Sequence, residues 1–265
     1  MLEIENIIFP ANLGEALATV RGIPGSVVLG GCGYLRLGSR KIRTAIDLAR
    51  LGLDKIVETA DTVEIGAMVT LRDVETDALT VGLAGGVLAK SVENIVGVQL
   101  RKCVTLGGSV AGRYPFSDPI TALMAVDAEL LFHGRGVISL QDYLEGKWGR
   151  DILVKIIVPK RQWIAAFTSV RKSVTDYAVL NCAVSKSGQD YRVVVGSRPS
   201  RALRVTTAEN FLRENGLTKK SAVRAGELAA ESLQFGDNPR GSGEYRKKIC
   251  PVLVKRALLE VLDAA

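Results

Sequence analysis

The sequence predicts an α+β protein whose first and second halves differ in pattern. Up to Pro159, short apolar stretches such as VVLGG (27–31) alternate with amphipathic stretches such as LGEALATV (13–20). Beyond Pro159, three consecutive strand-like stretches precede three helix-like ones. We therefore predict a first domain over residues 1–160, with subdomains of roughly 1–55 and 56–160, and a second domain over residues 161–265.

The elements of the first domain follow from local signals. A strand over 4–10 closes at Pro10, and Asn12 caps the first helix. Thr70 and Asp73 form a capping box, and Pro119 lies in the first turn of a helix over 117–126. A longer helix is predicted over 83–95, and a short one over 139–144. Further strands are predicted over 26–31, 44–49, 54–59, 62–67, 103–108, 128–134, 136–140 and 152–159; those over 54–59 and 62–67 form a hairpin.

The second domain is predicted to contain a three-stranded antiparallel sheet followed by helices. Its strands lie within 165–173, 177–187 and 190–197, and its helices within 207–215, 221–234 and 243–262. Pro251 falls inside the last helix, where the missing N–H predicts a kink or a break.

Composition excludes several classes of protein. Its 265 residues, 47% hydrophobic, can bury a core without disulfides or structural metals. Four dispersed cysteines and a single histidine, His133, exclude a local zinc or iron–sulfur run and a His-based triad. The charge of +7 is scattered and aromatic residues make up 5%, so a solvated surface or an acidic partner is favoured over nucleic acid. No apolar run approaches the roughly 20 residues of a membrane span. We expect a cytoplasmic protein with no secretory signal.

Two predicted strands run into Gly-Gly, in VVLGGCGYL (27–35) and VTLGGSVAG (104–112). Each could be an ordinary turn. Together, however, they could bring bare backbone N–H groups to one diphosphate from two sides. Neither stretch fits GxGxxG or GxxxxGK[ST], which disfavours the common nucleotide-binding folds.

Five stretches, in this order, resemble one family. They are GGCGYL (30–35), LRKCVTLGGSVAGRYPFSDPITALMAVDAEL (100–130), LVKIIVP (153–159), TDYAVLNCAV (175–184) and RGSGEYRKK (240–248). The chain resembles, nearly end to end, the flavin subunit of the molybdenum hydroxylases, of the xanthine dehydrogenase and carbon monoxide dehydrogenase medium-subunit type. The family patterns are R-N-x-A-T-[IV]-G-G-N-[IL]-A, P-x-S-D-L and R-G-S-x-x-Y-R.

This resemblance implies a two-subdomain FAD-binding fold (PCMH/vanillyl-alcohol-oxidase-like) followed by a small α/β domain. FAD would lie between the subdomains with its pyrophosphate on the two glycine loops. The residues carried over as cofactor-binding are Leu29, Gly30, Gly31, Cys32, Gly33, Tyr34, Thr105, Gly107, Gly108, Ser109, Ser117, Asp118, Leu153 and Arg171.

The chain departs from the family at the site itself. Cys32-Gly33 replaces a polar pair such as Thr-Asp or Thr-Ser, Ser109 replaces Asn, and Pro119 replaces Leu. A side-chain hydrogen bond is worth roughly 1 kcal/mol, so we expect weaker flavin binding that keeps its backbone contacts. Taken singly, Asp118 is an ordinary helix N-terminal residue, Cys32 a small packed thiol, and Tyr114 and Tyr177 core aromatics or covers of the flavin ring.

The resemblance also implies a role in electron transfer. In the family, electrons leave the substrate at a molybdenum cofactor, cross two [2Fe-2S] clusters to FAD, and pass to NAD or another acceptor. This chain would then be the flavin subunit, partnered by an iron–sulfur subunit and a molybdopterin subunit, with no catalytic acid or base of its own. The alternatives are a stand-alone FAD oxidoreductase and a flavin-free assembly or scaffold protein.

Overall fold

The computed structural model describes residues 2–264. An N-terminal subdomain carries two small parallel sheets, β1–β4 and β2–β5–β3. Its elements are β1 (Glu3–Ile4), β2 (Ile7–Ile8), α1 (Leu13–Gly22), β3 (Val27–Leu29), a 3₁₀ turn (Leu35–Leu37), β4 (Lys41–Ile42) and β5 (Ala45–Asp47). The strand predicted over 4–10 is two strands, because β1 and β2 pair with different neighbours. Asn12 caps α1 as predicted.

A second subdomain is built on a five-stranded antiparallel sheet of order β6-β7-β10-β8-β9. The strands are β6 (Ile56–Glu58), β7 (Thr62–Gly66), β8 (Glu129–Phe132), β9 (Gly136–Ser139) and β10 (Leu153–Pro159). The helices are α2 (Leu71–Thr76), α3 (Ala78–Gly82), α4 (Val87–Val92), α5 (Val98–Arg101), α6 (Leu106–Ala111), α7 (Asp118–Ala125) and α8 (Leu140–Glu145), with a 3₁₀ turn at Leu83–Gly86. The predicted β6–β7 hairpin and the Thr70–Asp73 capping box are confirmed.

The helix predicted over 83–95 is wrong at its start. Ala84, Gly85 and Gly86 have φ of 50°, 69° and 74°, so the chain turns through the left-handed region and α4 begins only at Val87. A Cβ on Gly85 would lie 3.2 Å from the carbonyl oxygen of Ala165, which shows how closely this turn approaches the next domain.

The strand predicted over 103–108 is also wrong. Only a single bridge joins Thr105 to Thr70, and α6 begins at Leu106. The Thr105 hydroxyl accepts a hydrogen bond from the Gly108 N–H at 3.1 Å and caps the helix. The second Gly-Gly pair therefore lies in the first turn of a helix. A Cβ on Gly107 would lie 2.4 Å from the Ala67 carbonyl oxygen, so this turn packs backbone against backbone.

The C-terminal part carries an antiparallel sheet of four strands, one more than predicted, in the order β11-β12-β13-β14. Its elements are β11 (Ile164–Val170), β12 (Leu180–Ser187), β13 (Asp190–Gly196), β14 (Leu203–Arg204), α9 (Thr206–Asn215), α10 (Lys219–Ser232) and α11 (Gly243–Asp263). The helix α11 continues through Pro251 without a break. It is held against α10, where a Cβ on Gly226 would lie 2.6 Å from the Pro251 carbonyl oxygen.

The β12 strand joins the two large hydrophobic cores. Ala183 belongs to the core of the second subdomain, whereas Cys182 and Val184 belong to the core beneath α9, α10 and α11. Because side chains alternate along a strand, β12 is buried on both faces. The α+β class is confirmed, and the two parts of the chain pack along this sheet.

Candidate functional site

The first glycine loop, residues 30–34, packs directly on the segment 103–108. A Cβ on Gly30 would lie 2.9 Å from Thr105 Oγ1 and 3.0 Å from the Cα of Gly108. Gly31 has φ +69°, and a Cβ there would lie 1.8 Å from the Cys103 carbonyl oxygen. Gly30, Gly31 and Gly108 are thus required by the contact between the two segments themselves.

The two segments differ in the backbone donors that they offer. In the second, the N–H groups of residues 106–109 all have protein acceptors: Val69 O, Ala67 O, Thr105 Oγ1 and Thr105 O. The expectation that both loops present bare N–H groups is therefore wrong for the second, because the segment 67–69 accepts two of these hydrogen bonds and Thr105 accepts the other two. In the first loop, no acceptor within residues 2–264 receives the N–H groups of Gly31, Cys32, Gly33 or Tyr34. Gly31, Cys32 and Gly33 are half-buried, whereas Tyr34 is exposed. Half-buried N–H groups ordinarily have a partner, so this row of donors is suited to an anion.

Two adjoining cavities meet at the first loop. The first cavity has a volume of about 410 Å³ and the second of about 630 Å³. Both are lined by Gly33, Tyr34, Val104, Ser109 and Tyr114. The structure places every predicted site residue on one or both of them. Those on the first cavity alone are Leu29, Gly30, Cys32, Thr105, Gly107, Gly108 and Leu153, and those on the second alone are Gly31, Ser117, Asp118 and Arg171.

Four rings form one side of the second cavity, which we call the aromatic wall: Tyr34, Tyr114, Phe116 and Tyr177. Ring centroids are 4.5 Å apart for Tyr34 and Tyr114, and 4.4 Å apart for Phe116 and Tyr177. Tyr114 and Phe116 stack at 5.3 Å with an interplanar angle of 13°. Burial raises the pKa of both Tyr114 and Tyr177. Neither ring belongs to a hydrophobic core formed by residues 2–264, so a core-packing role is wrong for both. Phe116 was missed by sequence reasoning.

Asp118 lies at the N-terminus of α7, where Ser117 is the cap. Its carboxyl group is 4% exposed and accepts hydrogen bonds from Arg171 and from the Asn181 amide, each at 2.6 Å. Burial raises the pKa of Asp118, and these two donors oppose that shift. Sequence reasoning missed Asn181, although one amide in the apolar run AVLNCAV is a recognisable signal. Both carboxylate oxygens already have protein partners, so Asp118 holds the Arg171 guanidinium in position.

The remaining site residues are ordinary in their chemistry. The thiol of Cys32 is half-buried, and burial, followed by the charge of Asp47, raises its pKa above the usual 9.0. It is therefore a protonated thiol at neutral pH. Ser109 donates its hydroxyl to the Thr105 carbonyl oxygen at 3.0 Å, and Leu153 is a buried apolar residue.

Within residues 2–264, no group of three His, Cys, Asp or Glu side chains is arranged to hold a metal ion. None of the helices described there has the length and apolar character required to cross a bilayer.

Comparison with known proteins decides the family. A model of the FAD binding domain in molybdopterin dehydrogenase matches residues 2–161. The chain belongs to this family, the FAD-binding subunits of the molybdenum hydroxylases. A second model, the CO dehydrogenase flavoprotein C-terminal domain, matches residues 165–261. The resemblance inferred from the motifs and the predicted FAD cofactor are both confirmed.

Individual relatives cover nearly the whole chain. The medium chain of carbon monoxide dehydrogenase from Hydrogenophaga pseudoflava is 27% identical over 272 residues, covering 94% of each chain. The nicotine 6-hydroxylase medium subunit of Paenarthrobacter nicotinovorans is 28% identical over 231 residues, covering 81% of each. Among solved structures, carbon monoxide dehydrogenase from Hydrogenophaga pseudoflava, in a form that lacks the Mo-pyranopterin moiety, superposes with a TM-score of 0.89 at 25% identity. That superposition covers 99% of this chain and 97% of the other.

The residues present fit FAD. The four free N–H groups of the first loop lie where the two cavities meet, and they suit a pyrophosphate between two larger moieties. The aromatic wall offers flat apolar surface for a ring system.

Proposed function

We propose that this chain is the FAD-carrying electron-transfer subunit of a multi-subunit molybdenum hydroxylase of the xanthine dehydrogenase-like type. It would take electrons from a partner [2Fe-2S] subunit and pass them to NAD or another acceptor. The observation that carries the proposal is the row of N–H groups from Gly31 to Tyr34, which have no acceptor among residues 2–264 and lie at the junction of two cavities. We assign residues 1–160 to FAD binding, divided into 1–55 and 56–160, and residues 161–265 to the C-terminal domain.

The side chains around the site bind and position. The N–H groups of the first loop would hold the pyrophosphate, while Thr105 and Gly108 hold that loop in place. The aromatic wall would exclude water from one side of the flavin, and the ion pair of Arg171 with Asp118 would present polar groups to the same cavity. FAD, when bound, supplies both one-electron and two-electron transfer.

The cysteines of this chain and the names of its relatives support partner subunits. Two [2Fe-2S] clusters require about four ligands each, whereas this chain has four cysteines, of which Cys182 and Cys250 are fully buried. We propose an iron–sulfur subunit and a molybdopterin subunit as partners in the cytoplasm. The matched relatives, named as medium chains or subunits, support this assignment.

Purification of the chain alone and with its partners tests the proposal. We expect one non-covalent FAD per chain, released by heat and identified by chromatography, and flavin reduction by NADH or by dyes. FMN, or no flavin after saturating reconstitution, would contradict FAD binding. Hydroxylation of purines or aldehydes by the metal-free chain would contradict the subunit role and favour a stand-alone flavoenzyme.

A further inference from the structure

The tail motif RGSGEYR (240–246) places a fully buried arginine in the first turns of α11. Arg246 has 0% exposure. Its guanidinium donates to Val179 O at 2.8 Å, Gly236 O at 2.7 Å and Asn238 Oδ1 at 2.6 Å, and also to Gly241 O. All four acceptors are neutral. Burying a charge without an ionic partner is costly. The folded state can therefore hold Arg246 here only because its guanidinium donors have acceptors.

These acceptors lie on two segments that are distant in sequence. Gly236, Asn238 and Gly241 belong to the loop 234–241, which precedes α11, whereas Val179 comes just before β12. Because all five donors of an arginine lie in one rigid plane, the guanidinium fixes both segments relative to each other.

The loop 234–241 in turn lies on residues 172–177. The Arg240 guanidinium carbon lies 4.6 Å from the centre of the Tyr177 ring, and its Nε lies 3.5 Å from the Asp176 carboxylate. Lys172 donates to Pro239 O at 3.2 Å. A cation over an aromatic face is attracted by the ring electrons, so Arg240 restricts the orientation of Tyr177.

Tyr177 lines the second cavity, so a restriction on its orientation also affects that cavity. It contacts Phe116 within the aromatic wall at 4.4 Å between centroids. Its neighbour Asp176 accepts a hydrogen bond from Arg171 at 2.6 Å through its carbonyl oxygen, and Arg171 itself lines the same cavity.

We propose that Arg246 is a positioning residue for the flavin site, acting through the loop 234–241 and Arg240 to set Tyr177 in the aromatic wall. This inference rests on the proposed function, since it assumes that FAD occupies the second cavity. It gives the tail motif a role: Arg240 contacts Tyr177, Ser242 caps α11, and Arg246 holds the loop.

The test compares Arg246→Lys with Arg192→Lys in the full-length chain. Lysine keeps the charge but loses the planar set of donors. Arg192 is a matched control in the same sheet domain: it is largely buried and paired with Asp127, and lines neither cavity. We expect Arg246→Lys to weaken FAD binding about tenfold and to shift the flavin absorption spectrum, whereas Arg192→Lys leaves both unchanged. Melting temperatures are measured alongside to match the two variants for stability.

Equal FAD affinity in the two variants, or equal losses that follow melting temperature, would overturn the proposal. If Arg246→Lys does not fold, Arg240→Met removes the cation over Tyr177 alone, and unchanged FAD affinity in that variant would overturn it. If the wild-type chain binds no FAD, the proposed function fails, but hydrogen exchange still tests the positioning role. Amide exchange over 171–179 should then rise in Arg246→Lys and not in Arg192→Lys, and equal exchange would contradict that role.

Discussion

Gly108 shows at the scale of one residue how a glycine near a ligand site is required by the protein itself. A Cβ at this position would lie 2.7 Å from the Gly30 carbonyl oxygen and 2.9 Å from Thr105 Oγ1. From the sequence alone, a larger residue at 108 would be expected to block the approach of a pyrophosphate. In the structure it would first push the two glycine segments apart.

We expect Gly108→Ala to weaken FAD binding at least tenfold, because the displaced first loop carries the free N–H groups. The unfolding free energy should fall by about 1–3 kcal/mol, as is usual for overpacking. Gly82→Ala is the control, since a Cβ there meets nothing within 4 Å. Flavin titration and urea unfolding measure the two effects. Full FAD occupancy in Gly108→Ala would mean that the contact between the segments does not support the site.

At the scale of elements, an ion pair ties α2 to α5. Arg101 is 6% exposed on its side chain and donates to both carboxylate oxygens of Glu75, at 2.8 and 3.0 Å. The α5 helix leads directly into the segment 103–108 beneath the first loop. The hydrogen bond from Arg101 lowers the pKa of Glu75 below its usual 4.5. This pair therefore fixes where the second glycine segment begins.

We expect Glu75→Gln to destabilise the protein by about 1–3 kcal/mol at pH 7, because a nearly buried guanidinium loses its charged partner. A carboxyl group whose pKa is lowered by folding stabilises the folded state at pH values above its unfolded-state pKa. That stabilisation is lost as the pH falls below about 4.5. The wild-type chain should thus lose stability more steeply than Glu75→Gln as the pH falls through this region. Urea unfolding across pH 3–7 measures the unfolding free energy of each chain. Glu227→Gln, at an exposed position, is the control. Parallel pH profiles for wild type and Glu75→Gln would contradict the assignment.

At the scale of the whole molecule, the two domains meet at a buried polar cluster. Asp118 from α7 receives hydrogen bonds from Arg171 and from Asn181, whose amide oxygen accepts one from Thr121 at 3.0 Å. The second cavity is lined by residues from both sides of this junction. Its shape therefore depends on how the domains pack.

We expect Asp118→Asn to cost about 3–5 kcal/mol of unfolding free energy, because Arg171 is left as an unpaired, buried charge. Arg171→Met in the same chain should restore part of that loss, since both charges are then gone. A double-mutant cycle measured by urea unfolding gives the coupling. Strictly additive effects of the two substitutions would contradict direct pairing across the junction.

What the sequence determined by itself is local or follows from ordered motifs. Asn12 and Thr70 each precede a helix and cap it as predicted, because a cap requires only a side-chain oxygen and the next few N–H groups. The β6–β7 hairpin followed from two strands around a short turn. The order of the motifs predicted the family, and the resemblance to that family predicted the FAD cofactor.

Only the tertiary structure decided the rest, because those features depend on contacts between residues distant in sequence. The stretch VTLGG is compatible with a strand, but in the structure Thr105 caps a helix whose first turn packs on Ala67. The N–H groups expected to be free are bonded to Ala67, Val69 and Thr105. Likewise, the partners of Asp118 lie 53 and 63 residues away, and Phe116 joins the aromatic wall only when Tyr34 and Tyr177 meet it. A glycine pair is compatible with several backbone conformations, so contacts with neighbouring chain segments determine which one forms.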